Sequence, residues 1–447
     1  MNNKTIFYVL GVIVTGLIFS LYFFPIEFFA LRGVNTKMGL AAIGLVVLGF
    51  SLAKGNRGIA NTDVFKLTAY ACIVSLFGLA SIVYNNTTDT AYATYIISFL
   101  VWLSAAFTVT KLMRGVHGYL SVDLICQYVI AICVFQCAVA VCNDFIPPFK
   151  MFLDRYINQD QEFLNSVHRM YGFGASLDTA GIRFSCALVM IAYLIIHQDN
   201  TVKRRNLFLL ILSYLIIAIV GNMIARTTSI GVGVSFAYLI YKTGVFKLRL
   251  SRESKRFWRW AIIISLCAIP IISYLYNNNT IVHNNLRFAF EGLFNFIEEG
   301  VWYTSSTDKL KTMYVFPDSF KTWLIGDGYF SNPIYTDPYF TGKVVGGYYM
   351  GTDVGYLRFI FYFGLVGLFA FSLFMFRAAK TCAKKLPGQK ALIYLLLLIN
   401  FIVWIKVSTD IFLVFALLLN IEGDENDEYY NRIQGIEEED DDDEDPV

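Results

Sequence analysis

The chain has 447 residues, of which 56% are hydrophobic and only 16% charged, with a formal net charge of +2. A water-soluble domain of that length carries about a quarter charged residues, so the composition points to a multi-pass protein of the lipid bilayer, with no nucleic-acid partner expected. The small net charge averages two unlike regions. From Glu422 onward there are 14 acidic residues against Arg432 alone, which leaves 35 basic and 20 acidic residues for the remainder.

Apolar runs begin at Thr5 and recur almost to Asn420. The first lacks a small-x-small cleavage site before Leu21-Tyr22-Phe23-Phe24 and reads as a retained span. Membrane helices are expected at about 5–27, 38–53, 64–84, 91–113, 119–142, 180–197, 206–223, 228–241, 258–276, 353–376, 391–406 and 409–420. Short loops rich in Lys and Arg belong in the cytoplasm. Such loops occur around Lys54 and Arg57, Lys111 and Arg114, Lys203-Arg204-Arg205, Lys242 to Arg259, and Arg377 to Lys390. The intervening loops, at Asn85 to Thr90, 143–179, near Arg226, and 277–351, fall on the other side. The expected fold is therefore an all-α polytopic membrane domain over 1–420, with about twelve transmembrane helices and two long extracytoplasmic loops. If the last two spans are separate, both termini share the cytoplasmic side. Residues 421–447 are expected to form an acidic, disordered tail, above all the nine acidic residues from Glu437 to Asp445, which have nothing apolar to bury.

Eight cysteines form no CxxC, and four scattered histidines show no metal-ligand spacing, so neither a metal nor a cofactor is expected. The chemistry sits instead in the two long loops. The second is crowded with aromatics, among them Trp323, Tyr329, Tyr335, Tyr339, Phe340, Tyr348 and Tyr349. Aromatic faces alternating with polar groups suit stacking on sugar rings, and Trp323, Tyr329, Tyr348 and Tyr349 are the glycan-binding candidates. An interfacial aromatic belt is the plainer reading of such residues.

Both loops end alike, as Asp178-Thr-Ala-Gly-Ile-Arg183 and Asp353-Val-Gly-Tyr-Leu-Arg358. An Asp at a helix start serves as an N-cap in many proteins. An arginine one turn inside an apolar run is costly unless paired or placed in a wet cavity, which makes it a functional candidate; snorkelling is the competing explanation. Arg226 lies in a tight turn, and Arg169 precedes Met170-Tyr171-Gly172. Guanidinium groups bind phosphate oxygens as bidentate forks and keep their charge in a low dielectric. Arg169, Arg183, Arg226 and Arg358 together predict a polyanionic ligand that arrives from the lipid, such as a lipid-linked pyrophosphate.

Several segments resemble the bacterial oligosaccharide repeat-unit polymerases of the Wzy type and, more distantly, the O-antigen ligases. These are Arg169-Met-Tyr-Gly172 with Asp178-Thr-Ala-Gly181, Ala225-Arg226-Thr-Thr-Ser-Ile-Gly231, Leu324-Ile-Gly326-Asp-Gly328, and Thr352-Asp353-Val-Gly-Tyr-Leu-Arg358 with Phe363-Gly364-Leu-Val-Gly367. The resemblance implies a GT-C-like, metal-independent glycosyltransferase of the bacterial cytoplasmic (inner) membrane. It would join undecaprenyl-pyrophosphate-linked oligosaccharides into a capsule, O-antigen or exopolysaccharide, beside a chain-length regulator and a flippase. Where ligases carry a His-Asn pair, this chain has Thr352-Asp353, which favours polymerase over ligase. The pyrophosphate is already a good leaving group, so the protein must neutralise its charge and orient an acceptor hydroxyl. A carboxylate base is needed for the second task, with Asp353, Asp178 and Asp327 the candidates in that order. The rival from another class is a transporter or flippase of lipid-linked oligosaccharide, which an internal repeat and charges near the midplane would mark.

Overall fold

The computed structural model describes residues 3–53, 62–159, 161–167, 169–197, 204–245, 251–333 and 347–434. Lys54, Arg57, Lys203, Tyr335, Tyr339, Phe340 and the run Glu437–Asp445 lie outside the described residues. The chain builds helices because hydrocarbon offers no partner to a backbone amide, so each apolar run must satisfy its hydrogen bonds internally.

Helices α1 (Asn3–Phe23), α2 (Thr36–Ala53), α3 (Thr62–Asn85), α4 (Tyr95–His117) and α5 (Val122–Phe145) lead into a segment carrying α6 (Pro147–Tyr156) and α7 (Gln161–Ser166). Four more, α8 (Leu177–His197), α9 (Arg204–Ile224), α10 (Thr228–Thr243) and α11 (Arg252–Asn278), precede a second segment. That segment holds α12 (Thr280–Ala289), α13 (Glu291–Glu299), α14 (Ser305–Thr312) and α15 (Phe320–Ile325). The chain continues with α16 (Gly355–Lys385), α17 (Lys390–Val403), α18 (Phe412–Leu419) and α19 (Gly423–Gln434). The described parts of both long loops are thus largely helical. A two-residue strand pair, Glu27–Phe28 with Ile157–Asn158, ties the first loop to the α1–α2 turn.

Among the described residues, eight helices are long and apolar enough to cross a membrane: α1, α3, α4, α5, α8, α9, α11 and α16. Two more, α2 and α17, are shorter apolar helices. The expected span 409–420 contains only the eight residues of α18, about 12 Å of helix against a hydrocarbon core of about 30 Å. It is too short to cross as a helix. Instead α17 and α18 form a hairpin with a non-helical tip at 404–411, held by Asn400 Oδ1 accepting from Ile411 N (3.1 Å) and by Trp404 Nε1 donating to Thr409 O (2.6 Å).

Contacts sort the turns to two ends of the bundle. At one end, which we call the loop end, Asp144 meets Asn285 (2.8 Å) and Thr87 reaches the Gly328 carbonyl (2.9 Å). At the opposite, basic end, Tyr8 reaches His117 (3.1 Å) and Lys385 Nζ donates to Leu419 O (2.9 Å). This places the N-terminal part of α1 and the helix α19 at the same end.

Helix α16 is broken at Phe363-Gly364, where Gly364 has φ +71°. The break leaves carbonyls without helical partners, and the loop Gly326–Gly328 supplies them. Asp327 N donates to Phe361 O (2.6 Å) and Gly328 N to Tyr362 O (3.1 Å), while Ser81 Oγ donates to the same Tyr362 carbonyl (2.7 Å). Two glycine motifs far apart in sequence are therefore one joint.

The acidic region does not begin as a free tail. Its first part forms α19 because Glu425 meets Arg114 Nη2 (2.8 Å) and accepts from Leu120 N (2.6 Å). Asn426 is fully buried, and its Oδ1 accepts from Val122 N (3.2 Å). Stacking of Tyr429 on Tyr119 completes the dock. These partners offset the self-repulsion that composition alone implies.

Candidate functional site

The tip of the α17–α18 hairpin meets the first turns of α8, α10 and α16 at the loop end. Asp178 is not spent on capping α8: its Oδ1 accepts from Lys406 Nζ (2.8 Å) and from the Thr227 hydroxyl, and Lys406 also donates to Thr227 Oγ1 (3.2 Å). Two residues further along the tip, Ser408 Oγ accepts from Arg358 Nη1 (2.8 Å). The second guanidinium nitrogen of Arg358 donates to Phe330 O (3.1 Å). The group lies between the rings of Phe330 (3.6 Å) and Tyr348 (4.1 Å). Arg358 is buried, and these partners explain how a cation is held there without snorkelling.

Asp353 precedes α16, whose N-cap position is taken by Val354. Its carboxylate stands 4.0 Å from Arg358 Nη1, and its Oδ1 is buried with no hydrogen-bond partner among the described residues. Burial, reinforced by the neighbouring Asp178 charge, raises its pKa to about 6 against the pull of Arg358 and Lys406. Tyr348, which faces it, is raised by the same burial and by the Asp353 charge. A carboxylate with one oxygen open to accept a proton and a pKa near neutrality has the properties of a general base.

A second group of cations adjoins the first through the Arg226–Thr227 peptide. Arg169 and Arg226 both lie over Phe288, at 3.9 and 4.1 Å from its ring centre. Arg226 pairs with Glu291 and donates to Ser305 Oγ (3.2 Å). The Arg169 side chain makes no hydrogen bond or ion pair with a described residue, while its backbone N donates to Leu164 O (3.0 Å). Burial lowers the pKa of both guanidinium groups, with Glu291 opposing the shift at Arg226 and the Arg226 charge adding to it at Arg169. Asp178 exerts its field on both arginines and on Asp353, which makes the two groups electrostatically one site.

Other predicted residues lie elsewhere. Arg183 points into the bundle, 5.4 Å from the Phe24 ring and within electrostatic reach of Tyr22, Cys133, Cys186 and Asp410. Asp327 belongs to the α16 joint, bound by Lys321 Nζ (2.7 Å) and Thr322 Oγ1 (2.8 Å). Tyr329 and Tyr349 stack on each other (5.3 Å), and Trp323 donates to Pro317 O (2.9 Å) beside Phe316. Of the four predicted aromatics, only Tyr348 covers the cationic site.

Lys406, Ser408, Phe288 and Glu291 were not among the sequence candidates. One signal for Lys406 was available: two charged residues, Lys406 and Asp410, and two polar ones, Ser408 and Thr409, interrupt two apolar runs too short to be comfortable spans. Comparison with protein-family models, with characterised proteins and with solved structures finds no match.

Proposed function

We propose that the chain is a membrane glycosyltransferase that polymerises undecaprenyl-pyrophosphate-linked oligosaccharide repeat units at the extracytoplasmic face of a bacterial inner membrane. The observation that carries this reading is the placing of Arg358 and Lys406 beside Asp353, a carboxylate with a buried, unpartnered oxygen and a pKa of about 6, with Arg169 and Arg226 adjoining through the shared field of Asp178. In the reaction, Asp353 takes the proton of an acceptor sugar hydroxyl as its oxygen attacks the anomeric carbon of the donor. The bond from that carbon to the pyrophosphate oxygen breaks. The leaving group departs as undecaprenyl pyrophosphate with its charge met by the cations. Glu291 and Asp178 stand where they keep Arg226 and Lys406 charged and aligned before a phosphate arrives. Arg358 acts through position, since its nitrogens are engaged by Ser408 and Phe330.

The test is the length of polymer ladders in cells, with membrane abundance measured alongside. A lysine is a point charge and cannot replace the planar fork of an arginine. Losing one charge-assisted phosphate contact lowers the rate by about 30- to 1000-fold. Arg169→Lys and Arg226→Lys are expected to abolish long ladders. Normal ladders from both variants would remove the pyrophosphate from this site.

A further inference from the structure

Arg169 also lines a cavity of about 570 Å³ at the loop end, between α5, α6, α7 and α12. Its polar lining is Asp144, Lys150, Asn165, Arg169, Asn284 and Asn285. The volume falls in the range of small-molecule sites, but the lining is unlike that of a site for an apolar ligand. Each amide offers both donors and an acceptor, the mixture that a ring of hydroxyl groups requires. One of them is already fixed: Asn285 Nδ2 donates to Asp144 Oδ2 (2.8 Å).

The charges narrow the class further. Neither the Lys150 ammonium nor the Arg169 guanidinium makes a hydrogen bond or ion pair with a described residue; the rings they lie over are Tyr171 (5.8 Å) and Phe288 (3.9 Å). Two cations against the single carboxylate of Asp144 leave one net positive charge in the cavity. A ligand that carries hydroxyl groups and one carboxylate satisfies both features. The cavity shares Arg169 with the Phe288 pair, so its occupant lies next to the cationic cluster.

We infer that this cavity is a saccharide subsite for an acidic sugar unit of the lipid-linked glycan. The carboxylate meets Lys150 and Arg169, and the hydroxyls meet Asn165, Asn284 and Asn285. The assignment rests on the glycosyltransferase reading above and deepens it by naming a substrate class.

The experiment uses the full-length protein in lipid nanodiscs, with D-glucuronate, D-glucose and inorganic pyrophosphate as probes, read by ligand-observed saturation-transfer NMR. Glucuronate is expected to bind at least about tenfold more tightly than glucose, because a charge-assisted contact is added. Lys150→Gln and Asn284→Leu are expected to weaken glucuronate by about tenfold or more and to leave pyrophosphate binding unchanged. Asn284 is exposed, so its variant tests recognition without a buried change, and elution as a monodisperse species checks folding. Equal glucuronate binding by the wild type and both variants overturns the subsite. So does loss of pyrophosphate binding in Asn284→Leu, which would make phosphate the occupant. Normal ladders from these variants, where Asp353→Asn gives none, overturn the subsite and leave the glycosyltransferase reading intact. Cavity-dependent glucuronate binding in a protein whose Asp353→Asn variant still makes normal ladders overturns that reading and leaves the subsite standing.

Discussion

Replacing Asp353 by Asn keeps the side chain's size and removes its ability to accept a proton. A carboxyl with a pKa of about 6 is about nine-tenths ionised at pH 7 and about one-tenth ionised at pH 5. Wild-type turnover is therefore expected to fall about tenfold per pH unit below 6. The Asn variant should lose about 10²- to 10⁴-fold at pH 7, the usual contribution of a positioned base, and should show no inflection near pH 6. Stability should move the opposite way. A carboxylate whose folded pKa is raised stabilises the fold below its ordinary pKa and loses that contribution as the pH rises through about 6. The shift corresponds to about 1–3 kcal/mol, so the Asn variant should unfold at a higher temperature than wild type at pH 7.5 and at nearly the same temperature at pH 4. The assay is initial-rate polymerisation in proteoliposomes across pH 5–8, paired with thermal unfolding in detergent. A wild-type profile without an inflection between pH 5 and 7, or an Asn variant that keeps full activity, would refute the assignment of Asp353 as base.

Lys406→Met removes a cation that holds the Asp353 pKa down, so the lower pH midpoint of the wild-type profile should move upward; a fixed or lowered midpoint would separate Lys406 from the site. The same change strips a partner from Asp178 and should lower stability by about 1–3 kcal/mol, discounted from the full value for a buried pair because both side chains are about a quarter exposed. Gly364→Ala combines a left-handed backbone with a Cβ that runs into the Leu324 carbonyl, and should destabilise by about 2–4 kcal/mol, read as a lowered unfolding temperature. Glu425→Gln should loosen α19 from Arg114 and Leu120, by about 1–3 kcal/mol, and raise amide exchange in residues 423–434; unchanged exchange would mean that Tyr429 and Asn426 suffice.

Most of the helices could be read from hydropathy, because a span of charge-free residues has one way to satisfy its backbone in lipid. The positions of Asp178, Arg226, Asp353 and Arg358 at one end followed from the same alternation. What a linear reading missed is long-range. Lys406 reaches Asp178 across a separation of 228 residues, and that pairing leaves no local pattern. Arg183 occupies the same place in its motif as Arg358 does, one turn after an Asp. It nevertheless turns toward Phe24 and Asp410, a choice made by the neighbouring helices. Trp323, Tyr329 and Tyr349 satisfy one another or nearby backbone, which composition cannot distinguish from a surface left open for sugar. The dock of α19 was hidden for a related reason: its acidic residues look solvated until Arg114 is brought beside them.

The joint at Phe363-Gly364 has a mechanical consequence. The short segment Gly355–Tyr362 is hydrogen-bonded to the Gly326–Gly328 loop and to α3, not carried rigidly on the long shaft below it. A bilayer that thins or thickens is accommodated by tilting its spans. Tilt of the α16 shaft is expected to be taken up at this break, so that it does not swing the arm that bears Arg358 and adjoins Asp353. Asp353 and Arg358 are thereby tied to the loop end of the bundle rather than to the membrane's thickness, and their spacing is expected to persist as the lipid around the protein changes.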